Sequence, residues 1–313
     1  MIKVMEYDNK KDDVFNKIKK RADEANKRIQ DKQSHLTPQK HKQLDFFIAD
    51  LFDTVSFRDD IASMEHPLFA LKAGDSRLRI YEHNGIRIEV SAAHKGIATI
   101  HDKDIWIYCI SKLMQAIYEG QDITQTIRFT AYDFLITTNR NIGGRNYKLL
   151  ADALERLKGT IITTSIETAN HREKSGFGLI DSWRIIEKDQ KTGRMLNIEV
   201  TLPNWLYRSV TSKSVLTISP DYFRIRKPLD RRIYEIARKH CGNQTEFRIG
   251  LDLLHKKTGA SDVLRNFRVA IKSLAESNEL PDYLVQYDTK TDMITFKNRN
   301  AKPHIKGLFN GNY

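Results

Sequence analysis

The chain is poor in cysteine and has no long apolar run. Its 313 residues include two cysteines, Cys109 and Cys241, which lie far apart and form no C-x-x-C pair. Neither a disulfide framework nor a zinc site is therefore expected, and both thiols are predicted to be buried and free. No apolar run reaches the roughly 18 residues that span a bilayer, and the N-terminus lacks the apolar stretch of a signal peptide. These absences predict a cytoplasmic protein that does not contact membranes.

Motifs of DNA-processing enzymes are also absent. The sequence has no G-x-x-x-x-G-K-[ST] loop for nucleotide phosphates. None of its 10 histidines forms an H-x-H pair of the kind that nicking initiators use to bind a metal ion. Asp102 and Asp104 lie at the start of a predicted helix, where capping explains them better than catalysis. We therefore expect no enzymatic activity, no catalytic residue, no metal site and no cofactor.

Positive charge dominates the chain, which has a formal net charge of +12 and an isoelectric point of about 9.5. Such a charge favours a polyanionic partner. The first 60 residues hold 13 Lys+Arg against 12 Asp+Glu, so the excess lies in the rest of the chain. A folded basic surface, rather than a basic tail, is thus predicted to meet the partner.

Residues 1–60 are predicted to form a charged, partly disordered region that contains one amphipathic helix. The helix is indicated by the i, i+3, i+4, i+7, i+8 pattern of Leu44, Phe47, Ile48, Leu51 and Phe52.

Two alternating runs, RLRIYEH and IRIEVSA, follow this region and are joined by Asn-Gly. Asn-Gly between alternating runs is a strong signal for a two-residue β-turn, so a β-hairpin is predicted.

Comparison of the chain with itself shows an internal repeat. DIWIYCISK, from Asp104, matches DRRIYEIAR, from Asp230, and FTAYDFL matches RIGLDLL. RNYKLLADALERLKG, from Arg145, matches RNFRVAIKSLAESNE, from Arg265. The three pairs keep the same order at a separation of about 120 residues. Each copy is predicted to run helix, short strand, helix, glycine-containing turn and helix, followed by strands.

A three-helix unit followed by a hairpin is typical of the winged-helix form of the helix-turn-helix. Three strands are predicted after the first copy and two after the second. The predicted fold class is α+β, with two tandem winged-helix domains after the charged N-terminal region. We place these domains at residues 61–205 and 206–300, with a C-terminal tail at 301–313.

The last helix of each copy is the predicted DNA-binding element, because that helix enters the major groove in a helix-turn-helix. At about 100° per residue, the first is expected to expose Arg145, Lys148, Asp152, Glu155 and Arg156 and to bury Leu149, Leu150, Ala153, Leu154 and Leu157. The second is expected to expose Arg265, Arg268 and Lys272 and to bury Phe267, Ala270 and Leu274. Since the exposed face of the second helix is uniformly basic up to Glu276, it is predicted to bind DNA more strongly.

Further contacts are predicted at the two wings. The stretch HREKSGFG is expected to be a flexible loop at the tip of the first wing, and Lys297 and Arg299 end the hairpin of the second. In the basic linker SPDYFRIRKPLDRR, the residues that could also follow the DNA backbone are Arg224, Arg226, Lys227, Arg231 and Arg232. Ordinary solvated faces also carry such charges, which is the alternative for each single residue. The predicted DNA-binding residues are Arg265, Asn266, Arg268, Lys272, Arg145, Asn146, Lys148, Arg156, Arg172, Lys174, Lys297 and Arg299.

Long stretches of the chain resemble the plasmid replication initiator protein A family. They include MEHPLFAL, KGIATIHDKDIWIYCISKLM, VTLPNWLY and PDYFRIRKPLDRRIYEIARKHCG, and they follow one another in order within residues 63–260. Such initiators are similar to proteins that bind repeated origin sequences, called iterons, through two winged-helix domains. The resemblance implies binding to double-stranded plasmid origin DNA, opening of AT-rich DNA, and recruitment of the host initiator and replicative helicase. It also implies a homodimer that represses replication and controls copy number.

The pentapeptide QLDFF resembles the short motif by which bacterial proteins dock on the DNA-polymerase sliding clamp. Such docking would use hydrogen bonds from the glutamine, while the leucine and the second phenylalanine fill an apolar pocket. The alternative is that the same residues pack against the first domain. The predicted docking residues are Gln43, Leu44, Asp45, Phe46 and Phe47.

Two other functions remain open. A winged-helix transcriptional regulator is the main alternative, and it would bind one inverted repeat at a promoter operator rather than many direct repeats. A nicking or priming enzyme is a more distant alternative, because it would require metal-dependent activity.

Overall fold

The computed structural model describes five parts of the chain, namely residues 36–40, 56–83, 86–168, 171–187 and 195–301. The predicted amphipathic helix and the pentapeptide at 43–47 lie outside the described residues. No helix in the described parts is long and apolar enough to cross a membrane.

Eight α-helices and one short 3-10 helix form within these parts of the chain. The 3-10 helix spans Pro220–Arg224. The α-helices are α1 (Ile61–Glu65), α2 (Lys103–Tyr118), α3 (Ala131–Thr137), α4 (Gly144–Gly159), α5 (Asn204–Thr211), α6 (Pro228–His240), α7 (Leu251–Thr258) and α8 (Leu264–Ser277).

Twelve strands in the described parts form antiparallel sheets with the strand orders β2-β3-β5-β6, β4-β8-β7, β10-β12-β11 and β1-β9. The strands are β1 (Arg58–Asp60), β2 (Arg79–His83), β3 (Ile86–Ser91), β4 (Thr126–Phe129), β5 (Ile161–Thr168), β6 (His171–Gly178), β7 (Ser182–Glu187), β8 (Met195–Thr201), β9 (Val215–Thr217), β10 (Glu246–Gly250), β11 (Tyr283–Asp288) and β12 (Met293–Asn298). The chain is therefore a mixed α/β protein.

The order of elements predicted for the two copies is confirmed. The first copy runs α2-β4-α3-α4, and the second runs α6-β10-α7-α8. Thr130 caps α3 by accepting a hydrogen bond from the Asp133 backbone N–H. Gly259, with φ of 67°, ends α7 in the left-handed conformation and so allows the sharp turn towards α8. The predicted hairpins β2-β3 and β11-β12 also form.

The stretch HREKSGFG was expected to be a loop at the tip of a wing, and this prediction is wrong. It forms β6, which pairs with β5 from Ile161 opposite Gly178 to Thr168 opposite His171. Four strands thus follow α4, where three were expected. The stretch has no alternation of apolar residues, so its pairing with β5 determines its conformation.

Two hydrophobic clusters form the core, one around α2 and the other around α6. The first includes Trp106 and Phe134, and the second includes Tyr234 and Phe296. Cys109 and Cys241 are buried free thiols, as predicted.

Buried ion pairs join α2 to α6 between the two clusters. Lys103 of α2 lies 2.7 Å from Asp59 and 2.9 Å from Glu235 of α6, and all three side chains are at most 1% exposed. Arg231 of α6 lies 2.5 Å from Asp104 of α2.

The linker arginines Arg231 and Arg232 are therefore buried and cannot follow a DNA backbone at the surface, in contrast to the prediction. Their side chains are only 4% and 3% exposed, because Asp104 and Glu235 draw them into the interior. Arg226 and Lys227 of the same linker are exposed.

The capping prediction for Asp102 is also wrong. Asp102 occupies the N-cap position of α2, but its side chain makes no capping hydrogen bond to that helix. It instead accepts a bond from the Thr99 backbone N–H at 2.7 Å and pairs with Arg156. Asp104 lies in the first turn of α2, as expected, and its carboxylate binds Arg140 as well as Arg231.

Candidate nucleic-acid interface

The last helix of the second copy, α8, turns one side to the core and the other to solvent. Phe267, Ile271 and Leu274 are buried, while Arg265 and Asn266 are exposed. The prediction that Ala270 points inward is only partly right, because Ala270 is half-buried and Ile271 fills that position of the stripe.

Arg268 on α8 is not a free cation. Its guanidinium lies 2.7 Å from the carboxylate of Asp292, in the turn between β11 and β12, and Tyr287 donates a hydrogen bond to the same carboxylate. The guanidinium and the Tyr287 hydroxyl lower the pKa of Asp292. The predicted basic face of α8 is therefore partly neutralised. Lys272 remains 63% exposed, with Glu276 4.0 Å away.

The last helix of the first copy, α4, buries Leu150, Ala153, Leu154 and Leu157, as predicted. Leu149 was expected to share this side, but it is 44% exposed.

The cations of α4 fall into two groups. Arg145 and Lys148 are exposed, and their side chains form no hydrogen bond and no close ion pair among the described residues, although the charge of Lys148 helps to lower the pKa of Asp152. Arg156 was expected to face outward, but it is 17% exposed and holds Asp102 through two hydrogen bonds of 2.8 Å. Asn146 is half-buried.

The shared Arg-Asn pair does not occupy equivalent positions on the two helices. The buried residues Leu150, Leu154 and Leu157 of α4 have the same spacing as Phe267, Ile271 and Leu274 of α8. When the two helices are aligned by these buried residues, the Arg-Asn pair of α8 falls three positions after the Arg-Asn pair of α4. By burial, Lys148 of α4 is thus the counterpart of Arg265.

The predicted wing residues lie in strands or beside them. Lys174 is exposed within β6, and the side chain of Arg172 lies outside the described part. Lys297 is half-buried in β12, the central strand of its sheet, and Arg299 follows that strand. Both therefore lie at the end of the β11-β12 hairpin that is opposite its turn.

Sequence reasoning missed a polar cavity of about 250 Å³ beside the N-terminus of α4. Lys40, Arg140, Arg226 and Asn139 are among its lining residues. Asn139 accepts a hydrogen bond from the Lys40 backbone N–H at 2.8 Å. Burial lowers the pKa of the Lys40 ammonium, and the nearby Arg140 lowers it further. No local pattern could have found this cavity, since Lys40 and Asn139 are 99 positions apart.

The sequence of the chain matches a known family of proteins. The family model described as Replication initiator protein A matches residues 58–285. A protein of Wigglesworthia glossinidia brevipalpis, described as a replication protein, is 51% identical over 263 residues, which is 83% of this chain and 96% of that protein.

Two crystal structures of domains 2 and 3 of RctB share the fold. One, of a selenomethionine derivative, has a TM-score of 0.57 at 12% identity and covers 76% of this chain and 98% of that chain. The other has a TM-score of 0.53 at 11% identity and covers 76% of this chain and 96% of that chain.

Proposed function

The chain belongs to the replication initiator protein A family, and from this premise we propose that it is a sequence-specific DNA-binding initiator of plasmid replication. In this proposal it binds repeated origin sequences, the iterons, and each copy of the internal repeat forms a winged-helix domain. The helices α4 and α8 enter successive major grooves about one helical turn apart on one face of the duplex.

The exposed face of α8 is the observation that carries this proposal. Arg265 and Asn266 are exposed at the start of the helix, and neither side chain has a hydrogen-bond or ion-pair partner among the described residues. Arginine pairs with guanine and asparagine with adenine through two hydrogen bonds each, and residues near the N-terminus of such a helix reach the base edges. Exposed Lys272 would neutralise a phosphate. On α4, Arg145 and Lys148 would act in the same way.

The other partners are part of the same proposal. The bound initiator would promote opening of adjacent AT-rich DNA and recruit the host initiator and replicative helicase, with no enzymatic step of its own. A homodimer would repress replication, and residues 43–47 would dock on the sliding clamp.

DNase footprinting of the purified full-length protein on the intergenic DNA that flanks its own gene tests this function. Regularly spaced protection of direct repeats, weaker at the higher of two salt concentrations, is the expected result. Protection of one promoter palindrome would instead assign a transcriptional regulator. Absence of protection at both salt concentrations would reject DNA binding at these sites.

A further inference from the structure

The most exposed large apolar side chains in the described part of the chain lie at the N-terminal end of α8, one directly before the helix and one in its second turn. Val263, at the N-cap position, and Val269, in the second turn, are each 65% exposed. The other large hydrophobic side chains that the structure describes are at most 57% exposed. Single exposed apolar residues are ordinary, but that fact does not explain two at one end of one helix.

Neither valine favours the local structure in which it lies. Valine is a poor N-cap residue, and no side-chain capping bond forms at Val263. Val269 is β-branched and lies on the side of α8 opposite the buried Phe267 and Ile271, where alanine or lysine would favour the helix more. Residues that break local preferences without a packing reason are expected at functional sites.

The surroundings of Val269 decide what kind of molecule would cover it. Arg265 lies one turn before it and Lys272 one turn after it, and both cations are exposed. An apolar spot between two cations fits a polyanion that also presents apolar groups. The DNA major groove has this composition, because the C5-methyl group of thymine lies on a base edge between two rows of phosphates.

We propose that Val269, together with Val263, contacts thymine C5-methyl groups in the major groove and makes α8 select A·T pairs at those positions. This inference rests on the proposed function, since it requires α8 to enter the groove. Arg265 and Asn266 read hydrogen-bonding groups, and Val269 adds a contact that depends on shape and on exclusion of water.

Deoxyuridine tests the contact, because it pairs like thymine but lacks the methyl group. The probe is the duplex that the full-length protein enriches from a random-sequence library, with each thymine replaced singly by deoxyuridine. For the wild type, one or more replacements should weaken binding about fourfold, the effect of one buried methyl group. Val269→Ala should bind the thymine duplex about fourfold more weakly and lose its sensitivity to at least one of those replacements.

Two controls separate the contact from folding. Because alanine favours a helix, Val269→Ala should leave the melting temperature unchanged or raise it. Leu253→Ala, at a leucine of α7 that is 40% exposed, should keep the wild-type response to deoxyuridine.

Either of two results would overturn the assignment. One is a wild-type protein that is insensitive to every replacement, and the other is a Val269→Ala variant that keeps the full wild-type sensitivity at each position. Failure to enrich any duplex would be a different result, because it would reject sequence-specific binding and hence the proposed function itself.

Discussion

At the scale of single residues, the Arg156–Asp102 pair determines what a substitution at position 156 measures. The carboxylate of Asp102 is only 6% exposed and is held by the Arg156 guanidinium. Arg156→Ala leaves this carboxylate buried without its partner, so the free energy of unfolding should fall by about 3 kcal/mol. Urea unfolding followed by circular dichroism measures the loss.

The salt dependence of DNA binding separates this structural role from a phosphate contact. Arg156→Ala should leave the slope of log affinity against log salt unchanged, whereas Lys148→Ala should reduce its magnitude by about 0.9. A reduced slope for Arg156→Ala with normal stability would restore Arg156 as a DNA contact. Arg156→Met combined with Asp102→Asn should recover part of the stability, because the unpaired charge is removed.

The His101 imidazole makes stability depend on pH. Burial and the nearby Arg231 and Arg140 lower the pKa of His101 to about 4, although Asp104 and Asp102 oppose this effect. Histidine in an unfolded chain has a pKa of about 6.5, so the unfolded chain binds more protons than the folded chain below that pH. The stabilising contribution is therefore complete above about pH 6.5 and is lost as the pH falls towards 4.

His101→Gln should flatten the fall in unfolding free energy between pH 7 and pH 5 by at most about 2 kcal/mol. Urea titrations of both proteins at these pH values measure the difference. The pKa of His66 is also lowered to about 4, so the pH dependence of the wild type alone does not distinguish the two histidines. If the unfolding free energy of His101→Gln falls with pH as steeply as that of the wild type, the assignment to His101 is refuted.

At the scale of elements, α4 and α8 present similar numbers of exposed cations. The sequence predicts stronger DNA binding by α8. However, one of its three predicted cations, Arg268, is already paired with Asp292 and is therefore less available to bind a phosphate. Arg265→Ala with Lys272→Ala, and Arg145→Ala with Lys148→Ala, should each reduce the magnitude of the salt slope by about 1.8. Fluorescence anisotropy of a labelled origin duplex over a salt series measures both slopes. If the salt slope falls twice as much in the α8 variant as in the α4 variant, the prediction from the sequence that α8 binds DNA more strongly would be supported.

Local patterns predicted the elements better than the direction of their faces. The β2-β3 hairpin and the two helix-strand-helix-helix units follow from signals within a few residues, namely alternation, glycine turns and helical spacing. Leu149 and Arg156 were assigned to the wrong sides of α4, and for Arg156 the reason is a contact with a residue far away in the sequence. The Arg156 partner, Asp102, lies 54 positions away, and no pattern within the helix reports such a contact.

The same limit applies to the candidate site. The helix α8 and its exposed Arg265 could be predicted from the repeat and the spacing. The neutralisation of Arg268 and the cavity around Lys40 could not, because both depend on residues brought together by the tertiary fold.

At the scale of the whole molecule, the buried ion pairs between α2 and α6 connect the two hydrophobic clusters. Asp59 and Glu235 raise the pKa of Lys103 in spite of its burial, so its ammonium stays charged between them. β1 also pairs with β9, a strand that lies far from it in the sequence, and this pairing stabilises the first cluster. The limits of two domains at 61–205 and 206–300 stay predictions. Met64 of α1, which lies in the first of these ranges, packs in the second cluster.

The ion pairs predict that the two clusters unfold together. All three tryptophans, Trp106, Trp183 and Trp205, belong to the first cluster or pack against it, so tryptophan fluorescence reports the first cluster and circular dichroism reports both. In the wild type the two urea transitions should coincide. Lys103→Met leaves two buried carboxylates without their common partner and should lower the free energy of unfolding by about 3 to 5 kcal/mol.

Lys112→Met, on the same helix but with a half-buried lysine near the Tyr108 ring, is the matched control and should cost far less. Asp104→Asn combined with Arg231→Met removes both charges of the second pair, and it also takes the Asp104 carboxylate from Arg140, whose side chain is 23% exposed. If this pair couples the clusters, the fluorescence and circular dichroism transitions of the double variant should separate along the urea axis. Transitions that stay coincident would show that the remaining contacts, namely the Lys103 ion pairs and apolar contacts such as that of Met64 with the second cluster, hold the two halves together.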